Sequence, residues 1–149
     1  LPVNNDWSPE DYTASVTIHD RITARGPAIG AAKALVVKLR GLGASQTAHL
    51  TLVERDGTSW TAPLTIDPDF VERTIPMEEF RIGRGVMLPQ GFPGQWLYWL
   101  PPAAGRGGAG DRVRIGDVER LQISVRRPGD RTVRAGEYGV EIEKVMLTF

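Results

Sequence analysis

The sequence has no cysteine, which removes disulfides, thiolate metal sites and thiol nucleophiles together. Histidine is nearly absent. His19 and His49 lie far apart, neither has a second metal ligand at matching spacing, and both read as solvated surface residues. An excess of one charge is missing as well: eighteen Lys and Arg balance eighteen Asp and Glu, with an isoelectric point near 7. No overall field draws nucleic acid or anionic lipid to such a surface, so neither a nucleic-acid nor a membrane partner is expected. No apolar run approaches the about 18 residues of a membrane span, and no charged-then-apolar leader is visible. The chain begins at Leu1 rather than methionine, as expected of a processed or excerpted piece of a larger protein, and export stays open. A Ser-His-Asp order, a G-x-S-x-G elbow, a Walker loop and a dinucleotide fingerprint are all lacking. No 3.6-residue apolar period persists for three turns, which argues against a helical fold.

What is present has a period of two. In Ala34 to Arg40, Leu35, Val37 and Leu39 oppose Lys38 and Arg40, as in a strand with one buried face. Ala48, Leu50 and Leu52 alternate with His49 and Thr51, and Asp56-Gly57 supplies the turn of a hairpin into Ser59 to Ile66. In the returning strand Trp60 shares a face with Ala62, Leu64 and Ile66 and is read as core, while Pro63 marks an edge or a bulge. Val71 to Met77 is extended, and Glu78-Glu79-Phe80 forms a short turn that drops Phe80 onto the core. Leu121, Ile123 and Val125 form another strand, followed by a polar connection from Arg126 to Gly136. In the last strand, Tyr138 to Phe149, Val140 and Ile142 have one parity and Val145, Leu147 and Phe149 the other. A β-bulge near Glu143-Lys144 reconciles them. Ala14 to Ile18 is a further strand, Ile22 to Lys33 has no assignable pattern, and Trp7 and Tyr12 are read as staples of the first strand.

Residues 1–149 are read as a single domain. Short alternating strands with turns at intervals of roughly 8 to 12 residues predict an all-β, antiparallel β-sandwich of roughly eight or nine strands, a jelly roll.

One segment does not follow the pattern. From Gly83 to Arg112 there are eight glycines and four prolines, more than a helix or a central strand absorbs. Inside it, Gln95-Trp96-Leu97-Tyr98-Trp99-Leu100-Pro101-Pro102 sets three large aromatics among loop residues. Either they plug back onto the core or they present flat apolar faces to a ligand. In a locally extended chain Trp96 and Tyr98 face one way and Leu97 and Trp99 the other. The Gly105-Arg106-Gly107-Gly108-Ala109-Gly110 patch reads as a flexible loop tip; without a Lys-Ser/Thr pair and a following helix it is not a phosphate loop.

Three stretches resemble galactose-binding-domain-like sandwiches. Ala34 to Ile66 is similar to their central hairpin. Glu72-Arg73-Thr74-Ile75-Pro76-Met77-Glu78-Glu79-Phe80 is similar to their Ile-Pro-Leu element with its acidic residue and Phe. Arg114 to Val125, followed by Gly136 to Leu147, resembles their closing strands. The likeness covers about Ala34 to Phe149, and the Gln95 to Pro102 insertion departs from it. The pattern occurs in carbohydrate-binding modules of secreted polysaccharide-degrading enzymes and also in an intracellular assembly-factor family, so it speaks to fold more than to function.

The resemblance implies a non-catalytic, secreted bacterial carbohydrate-binding module. Its partners would be a polysaccharide or oligosaccharide and the catalytic domain of the same polypeptide. Sugar recognition needs flat aromatic faces and planar polar groups nearby. Trp96, Tyr98, Trp99 and Phe92 are candidates for the faces, and Gln95, Arg84 and Arg106 for the polar fork. No cofactor is required. A structural calcium ion, implied by related modules, would use Asn5, Asp6 or Glu143 with backbone carbonyls. Two other readings stay open. One is an accessory sandwich domain packed on a catalytic domain through the aromatic loop. The other is a small polysaccharide lyase or hydrolase using Glu141 and Glu143, which in a strand share a face about 6 to 7 Å apart.

Overall fold

The structure is a computed structural model that describes residues 11–43, 47–83, 85–86, 99–100, 102–126 and 138–149. The chain enters through β1 (Asp11–Thr17), a one-turn helix α1 (His19–Thr23) and a 3₁₀ turn (Gly26–Ala31). Then come β2 (Ala34–Gly43), β3 (Thr47–Glu54), β4 (Ser59–Thr65) and β5 (Val71–Pro76), and a 3₁₀ turn (Met77–Glu79) leads to the two-residue strands β6 (Arg81–Ile82), β7 (Gly85–Val86) and β8 (Trp99–Leu100). A 3₁₀ turn (Ile115–Asp117) precedes β9 (Val118–Arg126) and β10 (Tyr138–Thr148). Among the described residues no helix is long and apolar enough to cross a membrane.

The strands form one five-stranded antiparallel sheet in the order β1-β9-β3-β4-β6, one three-stranded sheet in the order β10-β2-β5, and a small β7-β8 pair. The chain is thus all-β. One core lies where the inward parities meet: Leu35, Val37, Leu39 and Ile75 from the smaller sheet pack with Leu50, Leu52, Trp60, Leu121 and Ile123 from the larger. Burial of these faces is the main force holding the sheets together, at about 25 cal/mol per Å² of apolar surface withdrawn from water.

Several sequence expectations are met by residue. β3 and β4 form a hairpin around Asp56-Gly57, with Leu52 opposite Trp60 and Gly57 at φ 88°, a left-handed conformation that glycine adopts without a Cβ clash. Pro63 lies where β4 has no outer neighbour, since β6 pairs only with Trp60 and Thr61. Phe80 is buried beside the 3₁₀ turn. The register of β10 on β2 shifts between Ile142 and Lys144, so Glu143 is the extra residue of a bulge and both parities of β10 keep apolar residues toward the gap between the sheets.

The unassigned stretch Ile22 to Lys33 is helical instead, in turns too short to show a 3.6 period, with Ile22 and Ile29 reaching the core.

The two outward faces differ. On the smaller sheet, Lys38–Glu143 (2.9 Å), Arg40–Glu141 (2.7 Å) and Lys144–Glu72 (3.8 Å) form ion pairs across neighbouring strands, and the Arg40 guanidinium stacks over Phe70. On the larger sheet the outward residues Thr51, Val53, Ser59 and Gln122 are buried. There β7 lies against β3 and β4, and the chain crosses so closely at Gly83 that a Cβ would stand 2.1 Å from Thr61 Oγ1.

Candidate functional site

The glycine-rich segment is anchored on the β3–β4 hairpin by a buried charge cluster, whose centre is Arg106. The parity of Ala48, Leu50 and Leu52 carries Glu54 onto the apolar side of β3, where its carboxylate is 1% exposed and the Arg106 side chain 5%. Arg106 Nη2 donates to Glu54 Oε1 at 3.1 Å and Nη1 donates to Glu54 Oε2. Nη1 also reaches Asp56 Oδ2 at 3.0 Å, Nε reaches Asp111 Oδ2 at 2.9 Å, and Nη2 reaches the Arg112 carbonyl at 3.2 Å. Those bonds occupy all five N–H donors of a guanidinium.

Glu54 is equally committed. Its Oε1 accepts from Trp60 Nε1 at 2.9 Å and from the Arg114 backbone N–H at 2.7 Å. Trp60 is 3% exposed, and a buried indole N–H needs such an acceptor. Its ring centroid lies 5.7 Å from the Arg106 guanidinium carbon, within cation–π range.

The electrostatics follow from these contacts. The hydrogen bond from Arg106, with that from the Gly107 N–H, lowers Asp111 from the ordinary 3.8 to about 2. Burial pushes Asp56 up, but hydrogen bonds from Thr58 and Arg106 outweigh it and the net shift is downward. The hydrogen bond to Glu54 raises the already high pKa of Arg106. Asp56, Asp111 and Arg106 are therefore held in their charged forms across the neutral range.

The same contacts order the backbone. Asp111 accepts from Gly107 N–H at 2.7 Å, and Gly105, Gly107 and Gly110 all take positive φ. Ala103 N–H donates to Thr58 Oγ1 at 3.2 Å, three residues after β8. On the other side, Gly83 N–H donates to the Ser59 carbonyl at 2.9 Å, two residues before β7. Since β7 pairs with β8, Val86 opposite Trp99, both stems of the intervening segment are fixed on one hairpin. Between the clamped loop and the turn before β6 lies an open cleft of about 730 Å³, with Trp60 at its base, Met77 to Ile82 on one side and Gly107 to Arg112 on the other.

Of the residues singled out from sequence, Arg106 has no donor left for a ligand, because its partners are Glu54, Asp56, Asp111 and the Arg112 carbonyl. The loop tip read as flexible is the clamped element. Trp99 is placed by its backbone in β8. Phe92, Gln95, Trp96, Tyr98 and Arg84 lie outside the described residues, as do Trp7, Asn5 and Asp6. Glu143 is exposed and faces Lys38, while Glu141 faces Arg40. Each carboxylate has its own cation on a solvated face. Among the described residues no three His, Asp or Glu side chains gather as metal ligands.

Sequence reasoning passed over Glu54, Asp56 and Asp111 as site residues. The available signal was an acidic residue at an inward parity position, six residues before a tryptophan whose N–H needs an acceptor.

Comparison with protein-family models, with curated proteins and with solved structures finds no match for this chain.

Proposed function

We propose that the protein is a non-catalytic carbohydrate-binding module with a galactose-binding-like jelly roll. In this reading it belongs to a secreted polysaccharide-degrading enzyme and holds that enzyme on its substrate. The observation that carries it is the anchoring of both stems of the aromatic-rich segment on the β3–β4 hairpin. A buried ion cluster under a glycine- and proline-rich segment is more than a connection needs, and it suits a loop that must present rings in a fixed arrangement. Preorganisation of this kind lowers the ordering cost of binding. Flat rings stack on the C–H faces of sugars, and the adjoining cleft offers a polar rim at Glu78, Glu79, Arg81 and Arg112. Two or three stacking residues on one module bring affinity to the roughly micromolar to millimolar range, since each sugar hydroxyl sheds water for the bond it gains.

Affinity electrophoresis through a panel of immobilised polysaccharides tests the reading, with Trp96→Ala and Trp99→Ala beside the parent. At least one polysaccharide should retard the parent, and one substitution should abolish retardation without shifting the unfolding midpoint. Migration unaffected by every polysaccharide, or retardation unchanged in both variants, sinks the proposed site.

A further inference from the structure

A second recess has no part in that reading. Between the outer strands of the two sheets, β1 on one side and β10 on the other, a groove of about 460 Å³ opens onto the core. Its floor is Leu35, Leu52 and Leu121, all buried. One wall is Ile142, Val145 and Leu147 of β10, and Ile142 and Val145 remain 38% and 37% exposed. Phe149 is the one aromatic among its lining residues. At the mouth stand Arg21 and Arg25, four residues apart with Ala24 and Arg25 continuing the helical backbone of α1. They therefore share a side, where like charges repel. Neither has a carboxylate partner among the described residues; Glu143, which also lines the groove, is held by Lys38.

Two features select the occupant. The bulge at Glu143 interrupts the free edge of β10 at the level of the groove, and such a bulge disfavours addition of another strand. The aliphatic lining suits a flexible alkyl chain better than a flat ring. The volume equals roughly fifteen waters at about 30 Å³ each, enough for one chain and not two.

We propose that this groove binds a long-chain carboxylate, the alkyl tail lying between the sheets and the anionic head meeting Arg21 and Arg25. The tail covers apolar surface that water now touches, and the head relieves the repulsion between the two guanidiniums.

Calorimetric titration of the whole chain with octanoate, decanoate and dodecanoate, below their micelle concentrations, tests this, with dodecyltrimethylammonium as the cationic counterpart. Affinity should tighten about fourfold per added methylene, and the ammonium should give no saturable binding. Arg21→Gln combined with Arg25→Gln should weaken all three carboxylates roughly three- to tenfold. Val145→Trp, at a half-exposed position, should block binding while circular dichroism and the urea midpoint stay at parental values. No binding, affinity independent of chain length, equal binding of the ammonium, or binding undiminished by Val145→Trp each overturns the proposal. A concentration-dependent dimer that dodecanoate leaves intact also overturns it and assigns the groove to a second copy of the chain.

Discussion

Arg106 and Glu54, 52 residues apart in the chain, face each other with both side chains almost fully withdrawn from water. Their contact joins the glycine-rich loop to the end of β3. Each ion would be costly to bury alone, and each finds its remaining partners within the same cluster: Asp56 and Asp111 for the guanidinium, Trp60 and the Arg114 N–H for the carboxylate.

Breaking this pair from one side leaves an uncompensated buried charge. Arg106→Met or Glu54→Leu should each cost about 3–5 kcal/mol, and the double variant should cost clearly less than the sum. Arg106→Lys should behave more like the methionine variant than the parent, because an ammonium cannot reproduce five donors in a planar fork. Urea unfolding of the four variants measures this, and additive losses would show that the two side chains do not act as a unit.

Acid should loosen the loop before it unfolds the core. Asp111 has a folded value near 2 against an ordinary 3.8, and Asp56 is shifted the same way. A depressed carboxylate contributes stability that is fully present above its unfolded value and fades as pH falls through its folded value. The decline from this source therefore falls between about pH 4 and pH 2. Stability against pH, compared between the parent and Asp111→Asn, should show a shallower fall in the variant across that window; identical slopes would remove Asp111 from the account.

Two neighbouring glycines should respond differently to alanine. Gly107 sits at φ +84°, and a Cβ there would meet Ile82 Cγ1 at 2.8 Å. Gly107→Ala should cost more than about 1 kcal/mol, through backbone strain and displacement of β6. Gly108 takes no positive φ and has no atom within 4 Å of its would-be Cβ. Gly108→Ala should be neutral or stabilise by up to about 1 kcal/mol. Melting temperatures of the two variants decide this, and an equal effect would contradict it.

The exposed ion pairs of β10 should matter little. Glu141→Gln and Glu143→Gln each break one surface pair and should cost less than about 1 kcal/mol, declining with added salt. Leu50→Ala, at a fully buried position, should cost about 2–5 kcal/mol in the same assay. Comparable losses for the glutamate and leucine variants would mean that the outward ion-pair lattice matters far more than its exposure implies.

The parts of the fold legible in the sequence are those where a strand faces the core on one side. Leu35, Val37 and Leu39 in β2, and Leu50 and Leu52 in β3, announce their strands because burial on one face imposes a period of two. The parity break after Ile142 locates the bulge for the same reason. α1 was illegible because one turn cannot establish a helical period. The burial of the outward residues Thr51, Ser59 and Gln122 was not legible, since a polar residue at outward parity carries no mark of what lies over it.

The candidate site divides along the same line. Local pattern by itself determined that the chain is all-β, that Asp56-Gly57 turns a hairpin, that Trp60 and Phe80 are inside, and that the segment from Gly83 to Arg112 is too rich in glycine and proline for a helix or a central strand. Only the tertiary structure decided that Arg106 clamps this segment rather than reaching outward, and that Glu54 is its counter-ion. The physical reason is that alternation is a property of neighbours in sequence, whereas a buried charge is tolerated only where distant parts of the chain bring it a partner.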